Sequence, residues 1–323
     1  MCLCRRWLFT IIMAISSASL FAQEADSLVL SQAADVLSFD DSLSIFNLID
    51  SLLQNADVDQ SQLAIRLSYN SNVLSAGRTL GIENFGLSPG VSFYHKSGIY
   101  ADVSGYWSKD FDPSYYLTVA SLGYMYTFPK WFSFMAGYDR YFYNVTSEDQ
   151  YIPYKNTLSV TPILEFKPVI ISLNYSYYFG DTYANRLMPG LGIELQKKKF
   201  LKIDRITLSP SFYLLMGDET ITELQVTFPK DRVELAYFLL EYKKPYKLDI
   251  IDKRVFGIMN YAISVPLMVT HRNWGFSFTY IYNIPKALTD EPLTISESSY
   301  LSGSITYFIG LGKNKISLEN TGL

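Results

Sequence analysis

Residues 274–284 read WGFSFTYIYNI. Trp274, Phe276, Phe278, Tyr280, Tyr282 and Ile284 fall on one parity, and Gly275, Ser277, Thr279 and Asn283 fall on the other. A β-strand sends successive side chains to opposite faces, so this stretch is a ribbon with one aromatic face and one small, polar face. The second face is too polar for a protein core. A wall with lipid on one side and water or a polar interior on the other suits both faces. The alternation recurs: Leu122, Tyr124, Tyr126 and Phe128 oppose Ser121, Gly123 and Thr127. Likewise Leu173, Tyr175, Tyr177 and Phe179 oppose Ser172, Asn174 and Ser176, and Leu301, Ile305, Tyr307 and Ile309 oppose Ser302, Ser304 and Thr306.

Pattern and turn signals together predict about twelve strands, over 62–75, 87–97, 99–108, 114–128, 131–144, 156–166, 168–180, 187–197, 203–217, 255–270, 274–286 and 299–311. Their connections alternate between tight and long. The tight ones are Lys96–Gly98, Pro129–Lys130, Lys167–Pro168, Lys197–Lys202 and His271–Asn273. The long ones are Ala76–Gly86, Lys109–Pro113, Val145–Lys155, Asp181–Arg186, Asp218–Arg254 and Ala287–Ser298. Short periplasmic turns and longer outer loops sort in this way in a transmembrane barrel, and a soluble sandwich has no reason to sort them. The parity puts both chain ends on the turn side. Trp131 and Trp274 each begin a strand after a tight turn, and Trp107 ends one before a long loop, so the three are assigned to the two aromatic girdles.

Within 218–254, Val233–Leu240 is apolar on both parities and follows Asp231, a helix cap, which predicts a short helix at the outer mouth. Pairing Glu223–Phe228 with Val233–Tyr242 would instead give fourteen strands. Twelve is preferred, because Glu223–Phe228 is short for a bilayer-crossing strand. Pro89, Pro162 and Pro266 lie inside strands at one height, where the missing donor predicts repeated bulges.

The first residues set the compartment. Arg5 and Arg6 precede an apolar run, Trp7–Ile15, and small residues lead to Ala22, which reads as a signal peptide over 1–22. Cys2 and Cys4 are the chain's two cysteines, so the mature chain is expected to hold no disulfide, thiol nucleophile or cysteine metal ligand. Residues 23–61 form an acidic, Ser-rich periplasmic segment. Ile45, Phe46, Ile49, Leu52 and Leu53 share a stripe within it, predicting an amphipathic helix over 40–54 behind an Asp40 or Asp41 cap. The barrel is expected over 62–311, with a tail over 312–323. Mean hydropathy is only +0.08 although 16% of residues are aromatic, and alternation explains how a membrane wall averages out in this way.

A net charge of −4 and the lack of a basic domain exclude nucleic acid as a partner. His95 and His271 are the only histidines. Both sit by tight turns, and Ser97 beside His95 reads as turn chemistry, so no enzymatic role is expected. No metal or other cofactor is expected either, since no loop has calcium-loop spacing. The residues that invite a function are inward by parity: Arg66, Asp102, Asp139, Glu165 and Glu194. In a wide barrel they would line a polar path, and in a narrow or plugged one they would pair with each other and fill the lumen.

With its signal peptide, alternating strands, girdle aromatics and sorted loops, the chain resembles bacterial outer-membrane β-barrel proteins. The resemblance is architectural and covers most of the mature sequence. It implies an all-β antiparallel transmembrane barrel in the outer membrane of a Gram-negative bacterium, surrounded by outer-membrane lipid and lipopolysaccharide. Such barrels often finish on a C-terminal aromatic; here Phe308 lies in the last strand and residues 312–323 follow it. Two functions stay open. One is a passive, porin-like channel for small solutes, lined by the inward charges. The other is a structural or accessory barrel with a closed or plugged lumen, which binds envelope components or a protein partner in the periplasm or outer membrane.

Overall fold

The computed structural model describes residues 61–71, 86–109, 113–128, 131–144, 154–200, 202–289 and 296–311. The predicted signal peptide, the 40–54 helix and the C-terminal tail lie outside these residues. Eight strands run in succession: β1 (Gln62–Asn70), β2 (Gly86–Tyr94), β3 (Ile99–Trp107), β4 (Tyr115–Phe128), β5 (Phe132–Tyr143), β6 (Tyr154–Phe166), β7 (Val169–Gly180) and β8 (Tyr183–Ile193). A hairpin, β9 (Leu195–Phe200) and β10 (Ile203–Leu208), leads to β11 (Ser211–Thr227), a helix α1 (Arg232–Glu241), β12 (Lys247–His271), β13 (Trp274–Pro285) and β14 (Ser298–Gly310).

Every pairing in the wall is antiparallel between neighbours. The ring closes because β1 pairs with both β2 and β14, while β11 pairs with both β8 and β12. Twelve strands make the closed wall, with β9 and β10 as two extra strands that prolong β8 and β11 at the turn end. Closure explains why such a chain can live in lipid: a hydrocarbon medium offers nothing to an unpaired backbone group, and a closed ring leaves no edge within it. With strands spaced ~4.8 Å apart and tilted ~40°, twelve of them enclose a backbone radius of about 12 Å.

The parity read from the sequence holds in space. Leu122, Tyr124, Tyr126, Leu173, Tyr175, Phe276, Phe278 and Tyr280 are exposed on the outside, whereas Ser121, Asn174, Ser176 and Thr279 are buried within. From Trp131, at the tight turn, to the outward Arg140 is ten residues, nine of them in β5, which fits the ~9–11 that a tilted strand needs to cross a bilayer. Arg140 donates to Asn156 and lies over the Phe142 ring, as a cation does where the apolar band ends.

Three expectations need correction. The β7–β8 link is only Asp181–Thr182, closed by Gly180 N–H donating to the Thr182 carbonyl and by Lys155 reaching Asp181 at 2.9 Å. The parity of β8 continues back through Asn185 and Ala184, so this outer link is tight and not long. Residues 218–254 are likewise no plain loop. β11 and β12 stay paired up to Thr227↔Lys247, and α1 caps the hairpin behind Asp231, so the fourteen-strand alternative with a second hairpin is not formed. Finally, the register runs unshifted through Pro89, Pro162 and Pro266. The irregularities lie at Tyr106/Trp107, Tyr154/Asn156 and Leu215/Met216. Pro266 needs no bulge because it faces the break between β10 and β11, where its carbonyl accepts from Ser209 N–H.

Candidate functional site: the inner face of the barrel

Adjacent strands set the inner side chains in rows. One row runs Ser92, Asp102, Ser121, Asp139, Thr157 across β2 to β6. Arg66 on β1 faces it from the neighbouring row, opposite Gly90. Its guanidinium lies 3.5 Å from the Asp102 carboxylate and donates to Ser104 Oγ at 2.7 Å. Asp102 also accepts from Ser92 at 2.5 Å and from Ser104 at 2.7 Å. Arg66 and Asp102 are both 6% exposed. A charge this buried requires its partner, and here two serines add hydrogen bonds to the carboxylate, while Arg66 Nη1 is left without a hydrogen-bond partner. Gly90 makes the room: a Cβ there would stand 3.0 Å from Arg66 Nη2 and 2.8 Å from Ser104 Oγ.

Of the five inward charges named from the sequence, the structure joins only Arg66 and Asp102 directly. Asp139 shares Asp102's row two strands away. Glu165 lies nearer the tight turns, 3.5 Å from Ser133 Oγ. Glu194, its side chain 12% exposed, is 3.9 Å from Lys167 beside the β6–β7 turn. Trp131 and Trp274 are exposed beside the tight turns, with Trp274 tilted against Tyr307 at 4.8 Å. Trp107 ends β3 at the opposite rim.

Large side chains also face the interior. Near the turns, Ala64, Tyr94, Tyr100, Met125, Met135 and Phe308 form one buried cluster. The Tyr100 ring lies flat across two neighbouring strands; a Cβ on Gly123 would come 2.4 Å from it, and one on Gly137 would come 2.8 Å from its hydroxyl. Only glycine leaves a trough in the wall for such a ring. Toward the loops a second cluster holds Met188, Leu215, Met259, Ala262, Ile281, Leu288 and Tyr300. Polar pairs share the inner face: Asn260 donates to Asn283 at 2.8 Å beside the second cluster, and Asn174 to Thr161 at 2.8 Å.

The sequence reading missed one inner ion pair and one outer cluster, both at the loop rim. Arg186 and Glu219 had fallen into presumed links, yet Arg186 reaches Glu219 at 2.8 Å. On the outside of the same rim, Arg254 pairs with Asp218 at 2.6 Å, covers the Tyr183 ring at 3.7 Å and donates to the Tyr183 carbonyl. Asp218 also accepts from Asn185. The available signal was the parity of β8, which extends unbroken to Tyr183. His95 is hydrogen-bonded within its own turn to Ser97, and His271 lies 3.9 Å from Asp204. The two are four strands apart around the wall.

No family model matches the chain, and no curated protein does. Among solved structures it is similar to the KdgM porin, with 10% identity and a TM-score of 0.41 over 76% of this chain and 98% of that one. It is similar to the translocator domain of the autotransporter NalP from Neisseria meningitidis, with 9% identity and a TM-score of 0.44 over 88% and 99%. LpxR from Salmonella typhimurium gives 13% identity and a TM-score of 0.38 over 77% and 100%. Likenesses this shallow carry no argument, so the barrel rests on the chain's own strand pairing. By that pairing and its apolar outer band, the chain has the architecture of an outer-membrane β-barrel protein.

Proposed function

We propose that the protein is an accessory barrel of the outer membrane of a Gram-negative bacterium, with an interior occluded at rest, and that it is not an open diffusion channel. One observation carries this reading: inner residues at every height are withdrawn from solvent. Ala64 is 0% exposed near the turns, Arg66 6% and Thr161 1% further in, and Asn260 and Asn283 0% toward the loops. Water in an open pore would reach these groups. Large inward rings such as Tyr94, Tyr100 and Tyr300 take up a good part of a ~12 Å radius. The surroundings of such a barrel are outer-membrane lipid and lipopolysaccharide, and its role is to hold envelope components or a protein partner at the membrane.

The channel reading has one observation in its favour. Asp102, Ser121 and Asp139 are consecutive in an inner row, and an opened lumen would present that row to passing cations. Planar-bilayer recording of the purified protein separates the two readings. Silence in the intact chain, with no current gained on deleting residues 23–58, is the expected result. Stepwise, charge-selective currents that change in Asp102→Asn and Asp139→Asn variants would replace this reading with the channel.

A further inference from the structure

Beyond Gly217↔Arg186, where β8 stops pairing with β11, the β11–β12 hairpin continues from Glu219↔Val255 to Thr227↔Lys247. Nine pairs at ~3.4 Å reach about 30 Å from the rim. At the tip sits α1, which contains six consecutive apolar residues, Leu235–Leu240. A helix of this kind is ordinarily buried, yet Phe238 is its one buried residue. Val233 is 80% exposed and Leu240 82%, and Phe228 before the helix is 68% exposed. Exposed apolar surface of this sort on a folded chain marks something that covers it.

The charges around the tip indicate what does. Three of its acids are committed, while Glu241 at the end of the helix stays exposed. Asp231 accepts from Glu234 N–H, and Glu234 accepts in return from Lys230 N–H, a reciprocal cap that holds both carboxylates at the helix start. Asp249 takes Lys247 at 2.8 Å; this hydrogen bond first, and the carboxylate's charge second, raise the Lys247 ammonium above its usual range. Lys230, Arg232, Lys243 and Lys244 remain exposed on both flanks of the apolar run, with Lys244 beside the Tyr246 ring. Apolar side chains collared by cations match a lipid layer with anionic headgroups, in which the apolar part enters the acyl boundary and the cations meet phosphate. The hairpin leash keeps one such layer always within reach, the bilayer that holds the barrel, at high effective concentration.

We propose that α1 is a membrane-surface anchor: the β11–β12 hairpin folds down and seats Val233, Tyr237 and Leu240 in the outer interface of the same bilayer, with Lys230, Arg232, Lys243 and Lys244 on its anionic headgroups. The assignment is independent of whether the lumen conducts. The test uses the full refolded chain with Cys2 and Cys4 replaced by serine and a single cysteine, Leu240→Cys, carrying an environment-sensitive fluorophore. The protein is reconstituted into vesicles of phosphatidylcholine with one-fifth phosphatidylglycerol and nitroxide-labelled lipid. Blue-shifted, quenched emission at 240 is expected, comparable to a lipid-facing control at Ile263→Cys. Lys243→Glu with Lys244→Glu should lower the quenched population by about fivefold or more per lysine. Water-like, unquenched emission at 240 while the Ile263 label is quenched would overturn the proposal. So would quenching that needs added second vesicles, or a blue shift that depends only on protein concentration and so reports a second copy.

Discussion

Replacing Asp102 by asparagine removes one charge and almost no volume from the centre of the inner face, and the consequence can be worked from the geometry. The Arg66 guanidinium is 3.5 Å from the carboxylate, and both side chains are nearly dry, at 6% and 7% exposure. At an effective dielectric of ~20, two charges at that separation attract by roughly 5 kcal/mol. Breaking a buried pair from one side costs about 3–5 kcal/mol, because the orphaned charge stays desolvated. Asp102→Asn should therefore destabilise the folded barrel by about 3–5 kcal/mol. The double change Arg66→Met with Asp102→Leu should restore most of that, since no unpaired charge remains. Urea unfolding in lipid vesicles, followed through the tryptophans and the heat-modifiable gel mobility of the folded barrel, reads the difference. A loss below ~1 kcal/mol for Asp102→Asn, the range of solvated ion pairs, would mean that water reaches Arg66. The centre of the inner face would then be wet and the lumen not occluded there.

Phe278→Arg, at an outward position mid-wall that is 51% exposed, should cost about 2–4 kcal/mol in bilayers, the price of a cation at the lipid midplane, and far less in a detergent that lets water reach it. Gly123→Val drives a side chain into the Tyr100 ring, which an added Cβ alone would approach to 2.4 Å, and should destabilise the barrel by about 1–3 kcal/mol in the same unfolding assay. If Tyr100→Ala in the same chain does not relieve part of that cost, the ring does not lie in that trough. Asp231→Ala removes the α1 cap and should cost the helix about 1 kcal/mol, seen as faster amide exchange at Glu234 and Leu235 with the wall strands unchanged.

How much of this was legible in the chain depends on which periodicity each part uses. The wall was legible because a two-residue period survives averaging over strands such as β13, where Phe276, Phe278 and Tyr280 share one side. Arg66 and Asp102 were placed inward by the same parity. Their contact was not legible, because it depends on the β1–β2–β3 register, and nothing in the local pattern ties Arg66 to Gly90 and Ser104. Arg186 and Glu219 were lost for a related reason. The links were drawn long because turn-forming residues such as Asp181 and Asp218 open them, yet β8 runs back to Tyr183 and β11 stays paired past Asp218. The α1 helix was readable from its cap and apolar run. That it stands on a paired hairpin was not, because Glu223–Phe228 is too short to suggest a membrane strand and its partner lies past the helix.

The most direct test of an occluded wall is a cysteine scan along β13, in a chain whose Cys2 and Cys4 are replaced by serine. Probes at 276, 278 and 280 should be quenched by nitroxide lipid. Probes at 277, 279, 281 and 283 should resist both the lipid quencher and a water-soluble thiol reagent, since Thr279, Ile281 and Asn283 are buried. Rapid labelling of these inner positions by the water-soluble reagent would contradict the account and describe a water-filled pore.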